Sequence, residues 1–446
     1  MTSINELNHV KIKTKNGAQV FVLDKGETID SESEAMLQAL HSRSTGGFEN
    51  HLKILAEKGA DNFMSKFYVG YGHKSIGDCG STTLFIEGVS MLAAKAIQDS
   101  KLYSGQEAST RYVDFSKQKF INPLNSEEGN DILEEQRSFY LEIMEPIKEH
   151  LKILFPIKDE ENEKIYNKAI AAKAFDIARG YLPSGASTNL AWHSNLRQIS
   201  DRLLFLRHHK LKEIREVAIA IEEAVNKKFP NSFSKKRYEK TEEYQDLISD
   251  HYYYHNPNAK DFEYDLSKFN FNELKKYQDL LTKRPPKTEL PQILNNLGEM
   301  EFQFKIDFGS FRDVQRHRAV NQRMPLITTE LGFNEFYFES LPEDLKLKAK
   351  EHIETIKTKI DALDISKEEI QYYIPMGFNI SNYITGSLPA ITYLVEIRAT
   401  RFVHPTLRKI AIKMSEILAN NGITLNIDKE PDRFDIKRGE HDIEIK

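Results

Sequence analysis

The chain has 446 residues, too many for one ordinary core and enough for two domains of roughly 200 residues each. Hydrophobic residues make up 40% and charged residues 29%, which excludes a disordered chain, and a net charge of −5 gives no support to a general binder of polymeric nucleic acid. Cys79 is the single cysteine, which excludes a disulfide framework and a thiolate metal cluster.

Met1-Thr2-Ser3-Ile4-Asn5-Glu6 lacks the charged-then-apolar pattern of a secretory signal. No apolar run approaches the ~20 residues of a membrane span. The expectation is a cytoplasmic protein with no membrane partner. Val10 and Ile12, then Asn16-Gly17, then Val20 and Val22 predict a hairpin. Ser31 to Leu55 has helical spacing, broken at Thr45-Gly46-Gly47. Gly70 to Ser81 reads as a loop or helix start, and Phe85 to Ile97 as a buried segment. Ser100 to Tyr112 is polar and carries a candidate site. Leu133 to Leu154 and Ile165 to Ala178 have helical spacing, and Arg197 to Val225 reads as one long helix. Residues 231–268 are polar, tyrosine-rich and weakly periodic, and read as a connector. His251 and His255 fall on one helical face there, but surface packing is the commoner role for such a pair without a third ligand.

The two halves repeat one another. Leu182-Pro183-Ser184-Gly185 precedes a helix with Glu213-Ile214-Arg215, and Ile374-Pro375-Met376-Gly377 precedes one with Thr406-Leu407-Arg408. The proline-to-arginine spacing is nearly equal in the two, so the expectation is a duplication.

Three strings carry chemistry. Gln315-Arg316-His317-Arg318 sets two guanidiniums around an imidazole, a patch suited to phosphate or to the anionic pyrimidine edge of a reduced flavin. In isolation such a triplet is more often a solvated basic turn. Ser104-Gly105-Gln106-Glu107-Ala108-Ser109-Thr110-Arg111-Tyr112 offers hydroxyls, a carboxylate and an arginine, or, seen alone, a polar loop. Gly72-His73-Lys74-Ser75 is weaker still.

Together these strings resemble the flavin-dependent thymidylate synthases, the ThyX family. Its motifs are an Arg-His-Arg, a Glu-x-Ser-x-Arg, an upstream Gly-His-x-Ser, a downstream Ala-Arg-x-x-Leu-Pro and a late arginine. The first half supplies Gly72-His73-Lys74-Ser75, Glu107 to Tyr112, Ala178-Arg179-Gly180-Tyr181-Leu182-Pro183, and Asn195-Leu196-Arg197; the second supplies Arg316-His317-Arg318 and Arg398. The resemblance covers roughly 70–228 and 284–415. It implies an α+β fold of two tandem domains, each a central antiparallel sheet with long helices, with strand-like runs near 10–23, 82–88 and 300–308. The expected divisions are a first domain at 1–230, a connector at 231–268 and a second domain at 269–446.

The resemblance further implies FAD as cofactor, with NADPH and methylenetetrahydrofolate as co-substrates in converting dUMP to dTMP. Arg111 and Arg179 would hold the nucleotide phosphate, with Ser109 and Glu107 near nucleotide and flavin. Arg398 would lie against the uracil and stabilise negative charge. Arg316, His317 and Arg318 would hold the flavin, with Asn195 and Arg197 contacting it and His73 and Ser75 on the flavin and folate side. Gln315 and Arg316 would also touch the nucleotide. Cys79 has no surrounding arginine cluster and reads as a small buried residue rather than a nucleophile. Arg207 reads as a salt-bridging helix residue.

The halves depart from the family in complementary ways. The first reads Asp99-Ser100-Lys101 in place of Arg-His-Arg. The second reads Gln322-Arg323-Met324-Pro325-Leu326 in place of Glu-x-Ser-x-Arg, and Gln371 in place of Arg179. The expectation is a composite site drawn from both halves, and a homodimer imitating the family's tetramer. Two alternatives stand beside it: one-carbon transfer to another pyrimidine nucleotide, and a non-catalytic nucleotide- or flavin-binding relic.

Overall fold

Alternating valines around a glycine turn start the first sheet. In the computed structural model, which describes residues 9–23, 30–42, 47–70, 72–233 and 236–428, strands β1 (His9–Lys13) and β2 (Gln19–Leu23) pair antiparallel, Val10 opposite Val22 and Ile12 opposite Val20. Gly17 turns the chain at φ 89°, a conformation that favours glycine. The central strand β3 (Ser81–Ser90) pairs with β2 on one side and β5 (Ser187–Asn195) on the other. Edge strand β4 (Ser104–Glu107) completes the order β1-β2-β3-β5-β4.

The second sheet runs β7 (Phe262–Asp265), β8 (Glu299–Asp307), β11 (Asn379–Ser387) and β9 (Asn321–Gln322), all antiparallel. Along β8 every second residue, Met300, Phe302, Phe304 and Ile306, is buried. A short parallel pair joins β6 (Tyr253–Tyr254) to β10 (Met324–Pro325).

The chain divides into two compact units. The first holds residues of Met1–Val113 and Ser187–Tyr252, the second those of Asp114–Ala186 and Tyr253–Lys446. Leaving the first sheet after β4, the polypeptide contributes helices Glu127–Leu154 and Glu163–Ala178 to the second unit, then returns as β5. In the second unit, helix Glu343–Asp361 lies along Glu127–Leu154, with His352 stacked on Phe139 at 4.0 Å and Lys348 and Lys359 paired to Glu142 and Glu135.

Each sheet runs straight from a strand into a helix through a polar cap, and the two caps are chemically inverted. Ser90 caps helix Met91–Gln98, accepting from the Ala93 amide, and donates its hydroxyl at 2.5 Å to Glu213 of helix Lys212–Lys228. Asp307 caps helix Phe308–Val314, accepting from the Ser310 amide, and accepts at 2.6 Å from the hydroxyl of Thr406 on helix Pro405–Asn420. Hydroxyl and carboxylate have exchanged places, so each buried pair stays satisfied.

The expected hairpin, the runs near 82–88 and 300–308, and the helices within 133–154 and 165–178 all form. Helices Ser31–His41 and Gly47–Lys58 flank the expected break, of which Thr45 and Gly46 lie outside the described residues. One expectation is corrected: Arg197–Val225 is two helices, Leu196–Leu206 and Lys212–Lys228. The turn between them is fixed by side chains, since Arg215 Nη1 donates to the carbonyls of His209 and Lys210, both at 2.7 Å, and His209 Nδ1 accepts from the Leu211 amide. Arg408 Nε likewise takes the Ala399 carbonyl at 2.9 Å, so the repeated arginines hold turns. Residues 231–268 contain helix Glu239–Asp250 besides β6 and β7. Among the described residues no helix is long and apolar enough to cross a membrane.

Candidate functional site

The Arg-His-Arg string follows helix Phe308–Val314 in the second unit. Gln322 on β9 holds its turn, donating to the carbonyls of Val314 and His317 at 3.0 and 3.1 Å. The residue standing where the family has glutamate is thus a backbone clamp. His317 is buried, and its Nε2 accepts from Arg398 Nε at 2.8 Å. Its remaining proton therefore sits on Nδ1, which is buried and has no hydrogen-bond partner. Burial, and then the Arg398 charge, push the imidazole down to about 3, so it is neutral at pH 7. Arg398 ends helix Leu388–Arg398, a favourable place for a cation, and donates from Nη2 to the Asp313 carbonyl at 2.7 Å.

Asp313 is the electrostatic centre of this corner. Burial raises its pKa, but Arg398, Arg316, Arg179 and Arg312 outweigh that and hold it ionised. Arg316 Nη1 lies 3.8 Å from Asp313 Oδ1, and Arg316 and Arg318 are exposed. Gln315 is buried beside Met324.

Arg179 reaches the same unit from the first half of the sequence. It opens the turn Arg179–Tyr181 after helix Glu163–Ala178 and is 7% exposed. Its Nη2 donates to Ser310 Oγ at 3.0 Å. Burial opposes its charge, but Tyr337, Asp176, Asp307 and Asp313 overcome this and raise its pKa.

The repeated Pro-x-Gly segments explain this placement. Ser184 N donates to the Ile374 carbonyl at 2.9 Å and Met376 N to that of Leu182 at 2.8 Å. Gly185 N donates to Tyr372 and Gly377 N to Gly180, both at 2.8 Å. Each bond has its mirror in the other segment, a local two-fold pairing around Pro183 and Pro375. Arg179 and Gln371 occupy equivalent places, yet Gln371 is fully buried, accepts from the Ile327 amide at 3.0 Å and donates to the Glu368 carbonyl at 2.9 Å.

In the first unit, the loop with His73 and Ser75 lies along the start of helix Leu196–Leu206. Arg197 Nε donates to Asp78 Oδ1 at 2.7 Å, Lys74 pairs with Asp201 at 3.4 Å, and Asn195 caps the helix by accepting from the Gln198 amide at 2.8 Å. His73 and Ser75 are exposed. The structure thus gathers His73, Ser75, Asn195 and Arg197 in one corner. Glu107 is occupied: Lys95 meets it at 2.7 Å with both side chains buried, and Gln98 donates to it at 3.1 Å. Ser109 and Arg111 follow β4 and are exposed.

Arg207 is a salt-bridging residue, as its sequence context suggests, paired with Glu222 at 3.2 Å and Glu242 at 2.8 Å. Cys79 is part-buried rather than buried, packed beside Met36, Ala39 and Ile76. Among the described residues no group of three or more His, Cys, Asp or Glu side chains is placed to hold a metal. Sequence reasoning missed Ser310, Asp307, Tyr337 and His404 around Arg179, which carry no motif, and met Thr406 only as part of the repeat. Their only signal is a cap residue ending an alternating strand.

Comparison with known proteins places these motifs. Residues 26–231 match the family described as thymidylate synthase complementing protein. A UPF0159 protein of Chlamydia muridarum is 26% identical over 424 residues, covering 81% of this chain and 78% of that protein. A UPF0159 protein of Thermoplasma acidophilum is 24% identical over 506 residues, covering 95% of this chain and 98% of its own length. A flavin-dependent thymidylate synthase of Clostridium tetani is 28% identical over 193 residues, covering 42% of this chain and 74% of that protein.

Proposed function

We propose, from the match of residues 26–231 to the thymidylate synthase complementing protein family, that the chain is a flavin-dependent methyltransferase converting dUMP to dTMP. Methylenetetrahydrofolate is the carbon donor and NADPH the source of reducing equivalents. The observation that carries this reading is the grouping of Arg179 with Arg316, His317 and Arg398 around Asp313 in one compact unit. Cations assigned to nucleotide and to flavin by the resemblance come from distant stretches of sequence and act on one carboxylate.

The residues present fit their assigned ligands. Arg179 stays charged in a buried setting and suits a phosphate, to which a guanidinium donates two parallel bonds. Arg398 presents a half-buried cation where negative charge develops on a pyrimidine ring. The buried Nδ1–H of His317 has no protein acceptor, and exposed Arg316 and Arg318 flank it. That set fits the anionic edge of a reduced flavin. FAD, when bound there, would supply the hydride. Ser109 and Arg111 carry the family's second nucleotide motif and are exposed for it. Glu107, neutralised by Lys95, holds β4 to helix Met91–Gln98 and is not available as a general base.

The test is tritium release from 5-tritiated dUMP by the purified full chain. Release that requires both methylenetetrahydrofolate and NADPH is expected. A colourless protein without flavin absorbance and without release would sink the reading and leave the binding relic.

A further inference from the structure

Behind Arg179 lies a polar cluster with no apolar substitute: Asp307, Ser310, Tyr337, His404 and Thr406, each 9% exposed or less. Its protons can be assigned one by one. His404 Nε2 faces the Asp176 carbonyl at 3.2 Å, which only accepts, so Nε2 carries the proton and Nδ1 is an acceptor. Burial, followed by the Arg179 charge, pushes His404 down to about 4, so the ring holds one proton at pH 7. The single Thr406 hydroxyl proton goes to Asp307 Oδ1 at 2.6 Å, and Tyr337 donates to Asp307 Oδ2 at 2.7 Å.

Ser310 Oγ sits 2.7 Å from Thr406 Oγ1 and 3.1 Å from His404 Nδ1. Both are acceptors toward it, so the Ser310 proton points into the cluster. Its lone pair is left facing outward, where Arg179 Nη2 meets it at 3.0 Å. The chain of bonds has one direction, from guanidinium to serine to threonine to carboxylate. The serine holds Arg179 by Nη2, and the Tyr337 oxygen also accepts from the guanidinium.

We infer that Ser310, oriented by Thr406 and Asp307, is the positioning residue that fixes the Arg179 guanidinium for the phosphate of the nucleotide. This rests on the assignment of Arg179 to that phosphate. An anchored arginine binds an anion without first losing its own side-chain freedom.

Titration calorimetry of the full chain with dUMP and with deoxyuridine, which lacks the phosphate, tests it. Ser310→Ala should weaken dUMP binding roughly tenfold, the worth of one hydrogen bond to a charged group, and leave deoxyuridine binding unchanged. Thr406→Val should weaken dUMP binding in the same direction, and Thr406→Ser, which keeps the hydroxyl, should restore it. Arg179→Ala serves as the control for the premise. If Arg179→Ala weakens dUMP binding and Ser310→Ala does not, the positioning role is overturned and the proposed function stands. Equal loss of both ligands in Ser310→Ala would mean a purely structural serine and also overturns it. If Arg179→Ala leaves dUMP binding intact, the phosphate assignment itself falls.

Discussion

His317 and His404 are neutral at pH 7 for one shared reason: an imidazolium in either place would be desolvated beside a guanidinium. The folded pKa values, about 3 and about 4, lie below the 6.5 of the free side chain. Unfolded chain therefore binds more protons than folded chain below pH 6.5. Stability is fully present above that pH and falls as the pH drops toward 4. A tenfold change in proton affinity is worth about 1.4 kcal/mol, so the two rings together withdraw on the order of 5 kcal/mol. Denaturant midpoints measured from pH 7 to pH 4 should fall steeply, and His404→Gln should flatten the curve. A pH-independent midpoint would contradict the assigned burial. Function divides residues as sharply. Arg316→Ala should strip flavin from the purified protein, whereas Lys101→Ala at the matching place should leave the flavin absorbance intact. Equal loss from both would argue for two flavin sites per chain. Arg179→Ala should cost dUMP affinity, and Gln371→Ala should cost stability instead, because Gln371 satisfies two buried backbone groups.

At the scale of elements, the pairing of 180–185 with 372–377 is the feature that joins the repeat to the candidate site. A side chain at Gly185 would place Cβ 2.6 Å from the Tyr372 carbonyl oxygen, and at Gly377 2.4 Å from the Phe333 ring. Gly185→Ala should therefore lower the thermal midpoint, with a cost of roughly 1–3 kcal/mol, and weaken dUMP binding through Arg179. Unchanged thermal unfolding would show that the segments do not need their close approach. Much of this level was legible in the sequence. The hairpin follows from alternating valines and an Asn-Gly turn, β8 from its buried alternation, and the long helices from their spacing. Strands β5 and β11 escaped notice because serine and asparagine are scattered through Ser187–Asn195 and Asn379–Ser387 and break the apolar–polar alternation. The turn at Arg207–Leu211 was missed because its cause is Arg215, downstream in the next helix. Local spacing does not register a side chain that reaches back to a carbonyl. The site divides in the same way: ordered motifs exposed Arg179, Arg316, His317 and Arg398, whereas Ser310 and Thr406 gain meaning only when the fold brings them together.

For the whole molecule, the proposed function predicts one flavin per chain, which flavin absorbance against protein concentration would measure directly; two per chain would contradict it. The departures also have a structural economy. Lys95–Glu107 and Ser90–Glu213 satisfy buried groups in the first unit, while Gln322 and Asp307–Thr406 do so in the second. The excursion of residues 114–186 sets a limit on how this polypeptide can be divided. A truncation after residue 230 severs helices Glu127–Leu154 and Glu163–Ala178 from Glu343–Asp361, against which the first of them packs. A fragment starting at 269 is deprived of Arg179 altogether. Two gene segments expressed from any single split point cannot each encode one whole unit, because each unit is assembled from two stretches that alternate along the sequence.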